Sequence, residues 1–256
     1  MHFLLVNDDG FDSPELRMLC GAAARRGHRV TVAAPETQQS GKSHSFTVFE
    51  PLLAQEAEMP GAACAWRIAG TPVDCTRIGL MALAKEPVDL VISGINQGYN
   101  IGLATYVSGT VGAAREAAFA APKGRALAVS MEPRTPEDMR LFLADYAILT
   151  AEKLVSAEVP PQSVCNLNAP CCSLAELRGV KVCPISKLIY KDGYVRYDGP
   201  RGQVSFWLEP MAQEWEREEG TDLALLLDNW MTVTFLAPDP IVQDAYADFP
   251  VPIALP

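Results

Sequence analysis

The sequence predicts an α/β fold in which a Rossmann-like, doubly wound and mostly parallel sheet carries helices on both faces. Two observations support this prediction. Short apolar runs alternate with helical segments through the first half of the chain, and several of these runs end in polar turn residues. Such alternation is typical of βαβ units. The chain has 256 residues, 49% of them hydrophobic, which suffices for one large domain with a substantial core.

Local signals justify the elements of the first half in order. Residues 2–6 are apolar and end in turn residues, as a buried strand does. Ser13-Pro14 predicts a helix start, because proline suits the first helical position. Thr71-Pro72-Val73-Asp74 is a capping box that opens another helix. The full prediction is strands at 2–6, 28–35, 88–92 and 126–130, short strands or a hairpin within 46–69, and helices at 14–26, 72–85, 109–121 and 137–155.

The second half is less regular, and it contains further strand and helix signals. The predicted elements are strands at 164–168, 180–182 and 231–235, an alternating strand of antiparallel type at 204–208, and a helix at 221–227. The last residues contain several prolines and predict an extended arm. We therefore expect a single domain, 1–256, with a Rossmann-like core at 1–170 and a C-terminal extension of hairpin and arm at 171–256.

Composition excludes some classes of partner. The net charge of −10 argues against a protein that binds duplex nucleic acid, which needs a basic face for the phosphates. Small phosphorylated substrates stay possible, because a bound dication and helix N-termini reverse the sign locally. The seven cysteines contain no C-x-x-C pair, which indicates free thiols in a reducing compartment. With no signal peptide and no apolar run near the roughly 18 residues that span a membrane, we predict a cytoplasmic protein without a membrane partner.

The most informative motif is Asn7-Asp8-Asp9-Gly10, directly after the first predicted strand. In an open α/β sheet, ligands bind outside the carboxyl ends of the strands. Adjacent acids repel each other, so a cation between them is one explanation of the pair. The alternative is an ordinary turn, since Asn, Asp and Gly are common turn residues. The four residues alone leave both interpretations open.

Two further polar loops follow predicted strands, at 38–43 and 93–102. If the strands are parallel, all three loops lie at one edge of the sheet. Two carboxylates, a hydroxyl and an amide carbonyl form an all-oxygen ligand set, which suits magnesium, manganese or calcium. His44 lies just after the second loop and is a candidate for approaching a substrate, although loop histidines are commonly idle. The glycines match neither a P-loop nor a dinucleotide fingerprint.

Ser108-Gly109-Thr110 opens a helix of small residues. Unpaired N–H groups and the positive end of the helix dipole make such a terminus a natural phosphate cradle, to which Ser or Thr adds a hydroxyl. The alternative is a helix N-cap with no further role.

With these loops identified, the chain resembles the SurE family, the survival-protein-E 5′/3′-nucleotidases, which are acid phosphatases acting on nucleoside monophosphates. The resemblance runs nearly from end to end, and its combination of motifs is highly specific. The matching segments are 6–10, 39–43, 70–75, 93–102, 108–114, 166–170 and 220–222.

The resemblance implies a divalent metal held by Asp8, Asp9, Ser40 and Asn96, with the turn at Ser108 beside the phosphate. It also implies that the C-terminal extension exchanges between the subunits of a homodimer, sometimes within a homotetramer. One metal ion per subunit, Mg²⁺ or Mn²⁺, is expected, and Ca²⁺ suits the same oxygen ligands.

The chain departs from the family pattern at a few positions. Leu103 and Ala104 stand where the family usually carries aspartates, and Tyr106 falls one residue early before the serine-glycine-threonine turn. Two late segments, 183–185 and 228–230, are also atypical. The four implied ligand positions are intact, so the resemblance still predicts a metal-dependent phosphatase.

We therefore predict a phosphomonoesterase that hydrolyses nucleoside monophosphates to nucleoside and phosphate. The candidate catalytic residues are Asp8, Asn96, Ser108, Gly109 and Thr110. The first alternative is a Rossmann-like protein that binds a nucleotide without hydrolysing it, which the missing acids at 103 and 104 make conceivable. The second is an oxidoreductase of the same fold, against which the absent glycine fingerprint weighs.

Overall fold

A nine-stranded, mostly parallel sheet forms the centre of the protein in the computed structural model. The structure describes residues 1–120, 125–189, 192–210 and 217–237. The strands are β1 (His2–Val6), β2 (Arg29–Pro35), β3 (Leu53–Ala57), β4 (Cys64–Ala69), β5 (Leu90–Gln97), β6 (Arg125–Met131), β7 (Ser163–Ala169), β8 (Gly179–Val182), β9 (Asp192–Asp198), β10 (Val204–Pro210) and β11 (Trp230–Leu236). The α-helices are α1 (Pro14–Arg25), α2 (Pro72–Ile78), α3 (Gly109–Ala120), α4 (Glu137–Ser156) and α5 (Asp222–Leu227).

The order of the strands confirms the predicted doubly wound α/β fold. It runs β3-β4-β2-β1-β5-β6-β7-β11-β8. The six strands from β4 to β7 are parallel, while β3 and β11 are antiparallel to their neighbours β4 and β7. The chain builds outward from β1 on one side and from β5 on the other, so the switch point lies between these two strands. Ligands bind at such switch points in α/β proteins.

The first strand supplies side chains to both apolar layers. Phe3 and Leu5 lie in the larger cluster, which includes side chains of α1 and α4. Leu4 and Val6 lie in the opposite cluster, which includes side chains of α3. All four side chains are fully buried. Burial on both faces explains why this strand is continuously apolar, as predicted.

Strand β5 is longer than the sequence predicted. Residues 93–97 were expected in a loop, but the strand continues to Gln97, with a register irregularity between Ser93 and Asn96. At Gly94 the backbone has a φ of 137°, and an added Cβ would lie 2.3 Å from the carbonyl oxygen of Val129. Only glycine fits this approach between β5 and β6.

The C-terminal half contributes both to the sheet and outside it. β11 pairs with β7, and β8 pairs with β11, so two strands beyond residue 170 join the central sheet. β9 and β10 form a separate antiparallel hairpin. The helix predicted from residue 221 is α5, which Thr221 precedes as N-cap. The predicted arm at the end of the chain lies outside the described residues. No helix in the described part of the chain is long and apolar enough to cross a membrane.

Helix α3 lies unusually close to the loop that follows β2. A Cβ added at Gly112 would lie 2.1 Å from the backbone oxygen of Ser43. By contrast, a Cβ at Gly21 in α1 would meet nothing closer than 3.5 Å, at the end of the Arg25 side chain. The two helical glycines therefore occupy opposite environments.

This contrast predicts that Gly112→Ala lowers the free energy of unfolding by about 1–3 kcal/mol, the usual cost of overpacking. The matched change Gly21→Ala should raise it by up to about 1 kcal/mol, because alanine favours a helix over glycine. Urea denaturation of both variants measures the difference. Equal stabilities would show that α3 and the loop are not in close contact.

Candidate metal and phosphate site

The loop after β1 is shaped by its outer residues, which leaves its two acids available for chemistry. Asn7 donates from Nδ2 to the backbone oxygen of Gly10 at 2.9 Å, and Gly10 has a φ of 99°. Asp8 is buried and Asp9 is partly buried. The turn interpretation of this motif is therefore confirmed: Asn7 and Gly10 make a turn, and this turn presents Asp8 and Asp9 at the carboxyl end of β1.

Thr110 holds the carboxylate of Asp8 with two hydrogen bonds. Its hydroxyl donates to Oδ1 at 2.5 Å and its backbone N–H donates to Oδ2 at 3.2 Å. A Cβ added at Gly109 would lie 3.0 Å from Oδ2 of Asp8, so glycine permits this approach. The positive N-terminal end of α3 is thereby placed against the first acid, which is a favourable interaction.

Asp9 connects the first loop to the end of β5, across the switch point. The backbone N–H of Gln97 donates to Oδ2 of Asp9 at 3.2 Å. The neighbouring Asn96 donates from Nδ2 to the backbone oxygen of Gly98 at 2.8 Å. Because that bond engages the nitrogen end of the amide, Oδ1 of Asn96 is the end that can act as a ligand.

Ser40 reaches this region through its neighbour in the chain. The backbone N–H of Gln39 donates to the backbone oxygen of Asp8 at 2.7 Å. Ser40 itself is exposed, and in the described part of the chain it makes no hydrogen bond to either acid. The structure thus brings Asp8, Gly109 and Thr110 into contact and links Asp9 to the residue after Asn96, whereas Ser40 is near the pair but not bonded to it.

In the part of the chain that the structure describes, no basic side chain compensates the charge of the two acids. Burial raises the pKa of Asp8, although the Thr110 hydroxyl opposes this shift. Burial, and next the charge of Asp8, raise the pKa of Asp9 to about 6. Among the described residues, no arginine, lysine or histidine contributes to either shift. A bound cation would offset the cost of burying the two charges and would reduce the repulsion between them, so the pair fits a divalent metal.

The available ligand atoms also suit a hard cation. In residues 1–120, 125–189, 192–210 and 217–237, no three His, Cys, Asp or Glu side chains form a metal cluster. A cation on Asp8 and Asp9 therefore needs neutral oxygens, which Ser40 and Asn96 can supply. Oxygen-only coordination is typical of magnesium, manganese and calcium.

The turn at the start of α3 has fewer free donors than the sequence suggested. Ser108 is an N-cap, since its Oγ accepts from the backbone N–H of Val111 at 3.1 Å. Both donors of Thr110 are engaged by Asp8. Among the described residues, no acceptor bonds to the backbone N–H groups of Ser108 and Gly109 or to the hydroxyl proton of Ser108, which leaves these donors for an anion. Capping is therefore part of this motif's role, and it does not exclude phosphate binding.

The structure gives His44 another partner and identifies a residue that sequence reasoning had not singled out. Nε2 of His44 lies 2.9 Å from Glu116 on α3. Asp222, fully buried at the start of α5, accepts from the backbone N–H groups of Gly102 and Ser186, both at 2.8 Å. It fixes the end of the glycine-rich loop. The sequence signals for Asp222 were its place in the first turn of a predicted helix and in the matching segment 220–222, neither of which indicated this role.

Comparisons with known proteins show which family the chain is similar to. A family model described as Survival protein SurE matches residues 3–192. The chain is 40% identical over 241 residues to a 5′-nucleotidase SurE of Desulfovibrio desulfuricans, covering 93% of each chain. It is 35% identical over 234 residues to a 5′-nucleotidase SurE of Clostridium botulinum, covering 91% of this chain and 92% of the relative. The crystal structure of Sure protein from Aquifex aeolicus is similar with a TM-score of 0.79 and 32% identity, covering 97% of this chain and 98% of that chain.

The electrostatics predict an unusual effect of Asp9→Asn on the metal-free protein. Burial raises the pKa of Asp9 from 3.8 to about 6, so stability falls as pH rises between these values and stays lower above them. Removing the charge should therefore stabilise the protein at pH 7.5 by about 1 kcal/mol, a value discounted for partial exposure. The midpoint of thermal unfolding should rise by roughly 2–4 °C.

Differential scanning calorimetry in a chelator tests this prediction. The gap between Asp9→Asn and the wild type should narrow as the pH is lowered from about 7.5 to about 4.5, because Asp9 then becomes protonated in the folded wild type. A variant that is less stable than the wild type at every pH would contradict the assignment of repulsion to this pair.

Proposed function

The chain belongs to the SurE family, and on that premise we propose that it is a divalent-metal-dependent 5′-nucleotidase. As a phosphoric monoester hydrolase, it converts a nucleoside monophosphate to a nucleoside and phosphate. The observation that carries the proposal is the pair Asp8 and Asp9, buried without a cationic side chain among the described residues and placed beside the N-terminus of α3. The two acids favour a bound cation, and the helix N-terminus beside them favours a bound anion.

We assign the cation to Asp8, Asp9, Ser40 and Asn96, with one ion, Mg²⁺ or Mn²⁺, in each subunit. The two acids supply charge, and the serine and asparagine supply neutral oxygens. When bound, a divalent cation supplies positive charge that offsets the charge developing on the phosphoryl oxygens. Ca²⁺ suits the same oxygen ligands, although its looser geometry differs from that of Mg²⁺.

Residues of this chain position the reacting groups. Thr110 fixes the carboxylate of Asp8 with two hydrogen bonds, which leaves one orientation of that carboxylate toward the site. Asp8 takes the nucleophilic or acid/base role. The Gly109 N–H, the Ser108 hydroxyl and the second hydrogen on Nδ2 of Asn96 stabilise the phosphoryl oxygens. Phosphoryl transfer depends mainly on such positioning and electrostatic stabilisation.

A non-hydrolytic nucleotide-binding protein is the second candidate function. The specific observation in its favour is that Leu103 and Ala104 replace acids usual in the family. Leucine and alanine side chains carry no charge, so neither replaces the missing acids. Leu103 is 38% exposed and Ala104 is 8% exposed. Turnover in the presence of metal separates the two functions, because a binding protein would retain the nucleotide unchanged.

Phosphate release from a panel of nucleoside monophosphates, with Mn²⁺, Mg²⁺ or chelator, tests the proposed activity. We expect metal-dependent release that falls at least about 100-fold in Asp9→Asn and in Asp8→Asn, because even outer-shell partners of a metal cost 10–100-fold. Asp12→Asn is the control in the same loop, since Asp12 is exposed and pairs with Arg67. Folded wild type that binds nucleotide but releases no phosphate would favour the binding function.

We also propose that the extension at 171–256 exchanges between subunits of a homodimer or homotetramer. The hairpin of β9 and β10 exposes large apolar side chains on both faces: Phe206, Leu208 and Tyr194 on one, and Trp207 and Tyr197 on the other. An isolated two-stranded hairpin is at best marginally stable in water. A second copy of the chain would cover it.

The mass in solution tests the role of the hairpin. Phe206→Glu combined with Leu208→Glu should shift the protein toward the monomer, because two buried charges in an apolar interface are costly. The matched control is Val48→Glu with Leu53→Glu, which are exposed apolar positions near the opposite edge of the sheet. Light scattering that gives the wild-type mass for the hairpin variant would contradict the exchange.

We propose a cytoplasmic location from the cysteines. All seven thiols are free in the structure, and burial raises the pKa of Cys20 to about 11. Buried thiols of this kind behave as small apolar side chains, which suits a reducing compartment.

A further inference from the structure

A buried acid on α3 binds two basic side chains from different parts of the chain. Glu116 is 8% exposed, and its two carboxylate oxygens have separate partners. Arg77 donates from Nη1 to Oε1 at 2.9 Å, and His44 donates from Nε2 to Oε2 at 2.9 Å. We call these three residues the Glu116 latch. It joins α2, α3 and the segment after β2.

The segment that the latch holds is the one that carries Ser40. Residues 36–47, which we call the Ser40 loop, have little packing of their own, and Ser40, Gly41 and Lys42 are exposed. At one end of these exposed residues, the N–H of Gln39 donates to the backbone oxygen of Asp8. The position of Ser40 therefore depends on what fixes the other end.

Several contacts fix that other end, including two hydrogen bonds from Thr47 to Asp74 and one from Thr71 to the backbone oxygen of Ser45. Ser43 donates from its N–H to the backbone oxygen of Val107 at 3.0 Å and from Oγ to that of Tyr106 at 2.7 Å. Next along the loop, His44 binds Glu116, and the guanidinium of Arg77 lies 4.6 Å from the ring centroid of Phe46. The latch thus contacts the loop at the side chains of His44 and Phe46, directly after Ser43, which bonds to the residues before α3.

We propose that Glu116 is a positioning residue that sets Ser40 against the acid pair, acting through His44 and the Ser40 loop. This inference rests on the proposed function, because it takes Ser40 as a ligand of the cation. Between two fixed ends, the exposed residues have few conformations available. With the His44–Glu116 contact removed, this end is held by fewer bonds, so ordering the loop at each binding event costs more conformational entropy and the affinity for the cation falls.

A second cluster of the same composition provides a matched control. Oε1 of Glu152, on α4, accepts from Nε of Arg26 and from Nε2 of His28, both at 2.8 Å. His28 directly precedes β2, so this cluster lies near the amino ends of the strands, away from the acid pair. Removing Glu152 takes away an equivalent set of bonds without touching the Ser40 loop.

Calorimetric titration with Mn²⁺ alone, without substrate, tests the proposal. Glu116→Ala and His44→Ala should weaken Mn²⁺ binding by about 10-fold, as loss of outer-shell partners does. His44→Gln should restore most of the affinity, because its amide can donate to Glu116. Glu152→Ala should bind Mn²⁺ like the wild type. His44 lies in a loop, so its variants keep the test valid if Glu116→Ala does not fold.

Trypsin cleavage after Lys42 in the metal-free protein gives a second readout that is independent of the metal. Cleavage should be several-fold faster in His44→Ala than in the wild type or Glu152→Ala. Unchanged cleavage, or faster cleavage with unchanged Mn²⁺ affinity, would overturn the positioning role. Wild type that binds no Mn²⁺ would overturn the proposed function itself and, with it, the role of Glu116.

Discussion

Burial of two adjacent carboxylates, with their mutual repulsion as a second and smaller contribution, is the constraint on which the site depends. Asp8 and Asp9 occupy the switch point between β1 and β5, where the sheet concentrates loop residues. Their raised pKa values show that the metal-free fold opposes their full ionisation. Placing two such groups together is costly, so the surrounding structure must stabilise their charge by hydrogen bonds, by the end of a helix, or by a cation.

Much of the nearby backbone serves this constraint. Thr110 uses both of its donors on Asp8, and glycine at position 109 avoids a tight contact of 3.0 Å between a Cβ and Oδ2 of Asp8. Gly94 allows β5 to approach β6, just before Asn96 reaches the edge of the sheet. Gly112 allows the Ser40 loop to lie directly on α3. The small residues of this region are thus explained by close approach of backbone segments.

The elements with strong local signals could be predicted from the sequence. The apolar strand β1, the proline at the start of α1 and the capping box of Thr71 and Asp74 depend on neighbouring residues, and all three are present. The extension of β5 to Gln97 and the pairing of β9 with β10 depend on contacts between distant residues. Local patterns do not encode such contacts, so β5 was placed too short, and the predicted hairpin is confirmed although its strand β9 was not located in the sequence.

The chemistry was predictable at the level of residue types, while the distribution of hydrogen bonds was not. The motifs located Asp8, Thr110 and His44, but sequence could not show that Thr110 is bound to Asp8 or that His44 is bound to Glu116. Partners at a separation of 102 or 72 residues are set by the topology of the sheet. The hydrogen-bond partners of Asp8 and His44, and with them the electrostatics of the site, therefore follow only from the structure.

A crystal structure of the protein grown with Mn²⁺ tests whether the acid pair binds a metal ion. The anomalous signal of the metal is the quantity to measure. We expect one strong peak per subunit, bounded by oxygens of Asp8, Asp9, Ser40 and Asn96. Manganese elsewhere in the molecule, with none at the acid pair in a protein that still releases phosphate, would contradict it.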